Sequence, residues 1–186
     1  MSSVPRSLAL AVALAALGGV PIPAVGQPAE RTEPEAKAVF LQKVLDFITW
    51  PKGERAAAQP LKIAFLGHTQ VGRDFARLTE KRPAGSPAYE VHYVSLDANL
   101  DDYQVIFLPS SSARRAPALA ERCATKPVLT VCESPGGCDK GIILTLLISE
   151  DRIRYDVNLN RARKAGLTFH SQVLHYAAKV CEGSAP

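Results

Sequence analysis

The side chains that could do chemistry are few, and most stand in patterns that do not support it. Gly67–Gly72 follows an apolar strand and precedes a helix, which is where a phosphate-cradling loop belongs. Arg73 and Asp74, however, stand where a Lys and a Ser or Thr would reach phosphate and magnesium, so the segment reads as a plain strand-to-helix turn. A nucleophilic serine needs a sharp elbow of the type Gly-x-Ser-x-Gly, and none occurs. Ser110, Ser111, Ser112 and Ser134 read as turn or cap residues. His170 and His175 are about 140° apart on a helical wheel, whereas two metal ligands on one helix want a spacing of three or four. His68 and His92 stand alone. Glu150 and Asp151 fall in a hairpin turn, the usual place for solvated charges, and nothing marks them as an acid–base pair. These residues supply no catalytic, metal or cofactor constellation, and the chain reads as a non-enzyme.

Lys37 and the cysteines hold more information. Lys37 lies inside the apolar arc of a helix, but in its first turn, where a long stem can snorkel to water; that is the expectation here. The four cysteines are Cys123, Cys132, Cys138 and Cys181. Neither CxxC redox spacing nor paired zinc spacing is present. Four cysteines allow three pairings. Cys132 and Cys138 enclose Ser134–Gly137, a turn-forming stretch, so a Cys132–Cys138 bridge is expected, with Cys123–Cys181 as its companion.

The elements that would position these residues alternate. Glu35–Thr49 is helical: Ala36, Phe40, Leu41, Val44, Leu45, Phe47 and Ile48 form one face, and Trp50–Pro51 ends it. Leu61–Leu66, Tyr89–Val94, Gln104–Leu108 and Pro127–Val131 read as strands. Helices fall over Val71–Leu78, from a Ser110–Ser112 cap to Cys123, after a cap at Asn158 or Asn160 up to Gly166, and over His170–Cys181. Gly141–Ile148 and Arg152–Val157 form a hairpin. The fold class is therefore α/β: a mainly parallel sheet with helices on both faces, a three-layer sandwich, and a late antiparallel hairpin at one side.

Composition narrows the classes further. The chain has 22 Lys+Arg against 18 Asp+Glu, a charge of +4, with no basic run to concentrate it. Nucleic acid is not an expected partner. The 47% hydrophobic content argues against disorder. At the N-terminus, Arg6, an apolar run over Leu8–Leu17 and the small residues Ala24–Gly26 have the three-part build of a secretory signal peptide. The expected organisation is a leader over 1–26, a flexible lead-in over 27–34 and one α/β domain over 35–182, exported to the periplasm.

The domain resembles the YfiR family of small secreted proteins. Four ordered blocks carry the likeness: Lys37–Leu41 through Ile48–Pro51; Ile63–Gly67; Tyr103–Ser110 followed by Val128–Val131; and Arg154–Asn158 with Ala162, Gly166, Leu167 and Ser171–Leu174. The resemblance implies an α/β sandwich that forms dimers and carries disulfides. It also implies a periplasmic repressor of an inner-membrane diguanylate cyclase, which can be sequestered by an outer-membrane, peptidoglycan-binding lipoprotein. Lys37, Trp50, Asn158, Ser171 and Gln172 are the family-like positions that serve either partner contact or structure. The chain departs from the family at Tyr103, where many members have a cysteine, while Cys132 and Cys138 sit near another family bridge. The competing reading is a small-molecule module or enzyme with its ligand at the C-terminal mouth of the sheet, lined by Gly67, His68, Pro109 and Ser110.

Overall fold

The computed structural model describes residues 31–51, 59–83 and 85–182. The expected leader and the first part of the lead-in lie outside these residues. Thr32 caps helix α1 (Glu33–Leu45) by accepting the Glu35 N–H on its hydroxyl, so the helix starts two residues before Glu35. It also stops earlier than expected. Ile48–Thr49 leaves the helix to form β1, which pairs antiparallel with Thr168–Phe169 far along the chain. A two-residue strand has no periodicity to read; only its distant partner creates it.

The alternating part follows as expected: β2 (Leu61–Leu66), α2 (Gln70–Glu80), β3 (Tyr89–Val94), β4 (Val105–Leu108), α3 (Ala116–Arg122) and β5 (Leu129–Cys132). Ser110–Arg115 forms a 3-10 turn before α3. The Ser110–Ser112 cap is not made, because no side chain caps this turn. The hairpin is β6 (Leu144–Ser149) and β7 (Arg152–Asn158). Glu150 and Asp151 both take positive φ at its tip, as a two-residue hairpin turn requires. Then come α4 (Leu159–Lys164), β8 (Thr168–Phe169), α5 (Ser171–His175) and β9 (Lys179–Cys181). The long last helix expected over His170–Cys181 is thus corrected to one short helix and a strand. Asn158 caps α4 with its side-chain oxygen, and Gly166 ends that segment at φ +69°.

Seven strands form one sheet in the order β3-β2-β4-β5-β6-β7-β9. Pairings from β3 through β6 are parallel, β6 and β7 are antiparallel, and β7 and β9 run parallel at the far side. The central strands are buried on both faces, which explains their continuous apolar runs. Ile63, Phe65, Val105, Phe107, Leu129 and Val131 pack into the layer of α1 and α2. Ala64, Leu66, Ile106, Leu108 and Cys132 pack into the layer of α3. The three-layer α/β sandwich is the observed architecture. The same alternation decides the mouth, since each parallel strand delivers its following loop to one end of the sheet.

Candidate functional site

Three places collect the residues singled out by sequence. The first is an open groove of about 320 Å³ between α1 and α5, over β7. Its floor is Phe40, Val44, Tyr155 and Val173; Lys43, Phe47, Gln172 and Tyr176 form its rim. Phe40 and Tyr155 pack tilted at 42° with centroids 4.7 Å apart, and Phe47 lies against His170 at 5.9 Å. The Tyr155 hydroxyl donates to the Val173 carbonyl at 2.7 Å, which locks α5 to the sheet. Burial pushes the Tyr155 phenol above its usual range, so it remains a donor at neutral pH. The His170 N–H donates to the Phe47 carbonyl, extending the β1–β8 ribbon and fixing one end of the groove. Phe47 is 41% exposed and Tyr176 74% exposed, the two most exposed large apolar side chains among described residues. Exposed aromatics gathered on one face mark contact surfaces more often than isolated ones do.

Of the family-like positions, Gln172 reaches this groove and Ser171 opens the helix beside it. Trp50 and Asn158 do not reach it. Trp50 is 6% exposed and packs in the main core. Trp50→Ala is therefore expected to cost about 3 kcal/mol or more in urea unfolding; an unchanged midpoint would contradict its place in the core. Asn158 has two structural tasks. Its Oδ1 accepts the Arg161 N–H at 2.9 Å, and its Nδ2 donates to the Cys138 carbonyl at 2.9 Å.

The second place is Lys37, and it corrects the snorkelling expectation. The residue is only 6% exposed, and its ammonium stays inside. It donates to Glu133 Oε2 at 3.0 Å and pairs with Glu33 at 2.5 Å. Glu133 Oε1 accepts the Ser110 N–H at 3.0 Å. One carboxylate thus joins α1, the end of β5 and the start of the 3-10 turn. A buried charge needs such partners, and with α1 starting at Glu33 the lysine stands past the first turn, where snorkelling was not available.

The third place is the sheet mouth, where a cleft of about 290 Å³ is lined by Leu66, Gly67, Ser95, Leu96, Asp97, Leu108, Ser112 and Arg115. Gly67 reaches it, at φ +84°. Pro109 and Ser110 are neighbours of its wall, and His68 instead stacks on Tyr93 with centroids 4.9 Å apart. Of the four expected mouth residues only Gly67 lines this cleft, whose charged members Asp97 and Arg115 pair with each other at 3.6 Å. Among described residues no cluster of His, Cys, Asp or Glu could hold a metal ion.

The cysteine pairing is also corrected. Cys138 bonds Cys181, while Cys123 and Cys132 are buried free thiols. Cys132–Cys138 and Cys123–Cys181 were favoured by loop length and by a helix for Cys181. Instead, β9 carries Cys181 along β7, beside the loop that holds Cys138. Sequence reasoning also missed Glu133, Tyr155, Val173 and Tyr176. The available signals were the family-like blocks that contain Tyr155 and Val173, and Phe47, an aromatic on the expected apolar arc that falls just past the end of α1 and stays exposed.

These features define a class: a three-layer α/β sandwich with an open aromatic groove at the α1–α5 side. The chain belongs to the YfiR/HmsC-like family, whose profile matches residues 34–178. No curated protein sequence matches it. Two solved structures share the fold at 10% identity and a TM-score of 0.54. One is a conserved domain protein from Vibrio cholerae; the other is an ABC domain in complex with L-Trp from Streptococcus pneumonia. Each likeness covers 80% of this chain, which spans 60% of the length of either protein. No helix among described residues is long and apolar enough to cross a membrane.

Proposed function

We propose that this protein is a non-enzymatic periplasmic regulator that represses an inner-membrane signalling protein, a diguanylate cyclase, by protein–protein contact. Family membership supports the class of partner. The observation that carries the contact reading is the groove, where Phe47 and Tyr176 stand exposed above a floor of Phe40 and Tyr155. Aromatics around a small desolvated pocket are the side chains that dominate binding energy at interfaces. The rim adds Lys43, a cation suited to a carboxylate on the partner. A homodimer and an outer-membrane, peptidoglycan-binding lipoprotein that competes for the protein belong to the same reading.

The test separates contact from stability. Phe47→Asp with Tyr176→Asp replaces two exposed side chains, so the unfolding midpoint should stay within about 0.5 kcal/mol per site. Crosslinking from membranes should then recover the cyclase with the wild type and lose it with the variant. Deleting the gene should raise cyclic-di-GMP, and only the wild type should restore it. Equal recovery and equal restoration by the variant would remove the groove from the interface. Unchanged cyclic-di-GMP with no membrane protein recovered would remove the regulator reading itself.

A further inference from the structure

We infer that the outer edge of β3 is a pairing surface for a second copy of this chain, joined antiparallel about a two-fold axis with Val91 facing the partner's Val91. β3 ends the seven-strand sheet and pairs there with β2 on one side. The Leu61 N–H donates to the Ala88 carbonyl and the Gly67 N–H to the Val94 carbonyl, each at 2.9 Å. With Leu61 level with Tyr89 in a parallel ladder, the even-numbered residues of β3 give their backbone groups to β2. The alternation turns the N–H and carbonyl of Val91 and Tyr93 away from β2, toward the open side. β3 has six residues and carries no Lys, Pro or Gly. The opposite edge, β9, has three residues and begins at Lys179. Short, charged edges discourage pairing and longer regular ones invite it, so only β9 is guarded.

The side chains choose the register. A two-fold pairing must set outward-facing backbone against outward-facing backbone, so odd residues meet odd and even meet even. Centring on Val91 places Glu90 opposite the partner's His92, and His92 opposite the partner's Glu90, in the closely spaced positions between hydrogen-bonded pairs. Centring on Glu90 instead sets carboxylate against carboxylate, which is destabilising. Centring on His92 sets imidazole against imidazole and gives up both mixed pairs. The Val91 register is the self-complementary one, with a carboxylate facing an imidazole donor on each side of the axis. Both side chains are within reach of a partner: Glu90 is 43% and His92 35% exposed, and they share a 2.8 Å hydrogen bond along the same face of the strand.

The flanks of this edge are held in place before a partner arrives. On one face His68 stacks on Tyr93 with centroids 4.9 Å apart; on the other Tyr103 meets the His92 ring edge-on at 5.3 Å. Val91 and Tyr93 pack against the main core, so pairing costs little side-chain freedom. The product is one sheet continuous through both copies, and the contact closes because the same edge serves on each side. The α1–α5 groove lies over β7, toward the far end of the strand order, and stays open in such a pair. A homodimer belongs to the regulator reading, but the surface named here stands on β3 alone.

The test is the oligomeric state of the purified protein by analytical ultracentrifugation, with the unfolding midpoint of each variant as the control for folding. The wild type should sediment as a dimer. Its Val91 and Tyr93 amides should gain exchange protection as concentration rises, while those of Glu90 and His92, bonded to β2, stay protected throughout. Glu90→Lys and His92→Glu each remove both mixed pairs, so each should raise the dimer dissociation constant by about tenfold or more. An equimolar mixture of the two variants should associate again, because each then meets its complement on the other chain. The double variant should likewise return to the dimer. A wild type that is monomeric at every concentration overturns the inference. So does a dimer that both single variants leave intact, or a mixture that associates no better than its components. If the dimer forms in this register while crosslinking recovers no membrane protein, the surface stands and the regulator reading fails.

Discussion

Lys37→Met is expected to destabilise the protein by about 3 kcal/mol, because it leaves the Glu133 carboxylate inside without its cation. The effect should be specific to the buried partner. Glu33, on the other side of the ammonium, is mostly exposed, so Glu33→Gln should cost no more than about 1 kcal/mol. Adding Glu133→Leu to Lys37→Met should recover much of the loss, since an apolar pair no longer strands a charge. The pH dependence has a definite sign. Burial lowers the Lys37 pKa, but hydrogen bonds to Glu33 and Glu133 and their charges outweigh it and hold it above 10.5. A raised folded-state value stabilises fully below the ordinary lysine pKa and is lost as pH rises through the folded value. Urea midpoints of the wild type and Lys37→Met should therefore converge only above pH 10.5. Parallel curves up to that pH and beyond would contradict the buried pair.

Cys138→Ser is expected to cost about 4 kcal/mol, since the Cys138–Cys181 bridge spans 43 residues and removes loop-closure entropy from the unfolded chain. Reducing the wild type with dithiothreitol should bring its urea midpoint down to that of the variant. The variant itself should not respond to dithiothreitol beyond the small effect on any other pair. Cys123→Ser removes a thiol, not a bridge, and its cost should come only from placing a hydroxyl in the α3 core. A wild type indifferent to reductant would show that the bridge does not hold the folded state. Loss of β9 should accompany reduction, visible as faster amide exchange over Lys179–Cys181 with little change in β4 or β5.

Much of the sandwich was legible. The bounds read for β2 and β3 are those observed, Leu61–Leu66 and Tyr89–Val94. Strands in a parallel sheet are apolar on both faces or clearly patterned, and Gly, Pro and Ser mark where they end, so local composition is enough. The hairpin tip and a cap at Asn158 or Asn160 were legible for the same reason, since both are satisfied within a few residues, and the structure gives the cap to Asn158. The family likeness added Lys37, Trp50 and Asn158 as positions that matter without saying how.

The rest was decided by partners far apart in sequence. β1 and β9 have two and three residues, below any detectable period, and exist because β8 and β7 lie beside them. The Lys37 environment depended on Glu133, 96 residues away, which together with Glu33 makes burial of an ammonium tolerable. The groove needed α5 to dock through Tyr155 and Val173 before Phe47 and Tyr176 could face one space. The disulfide shows the division most directly. Loop length favoured Cys132 for Cys138, because closure entropy is all that a sequence reveals about pairing. Sulfur atoms bond where their backbones are brought together, and it was the parallel docking of β9 on β7 that put Cys181 within reach of Cys138.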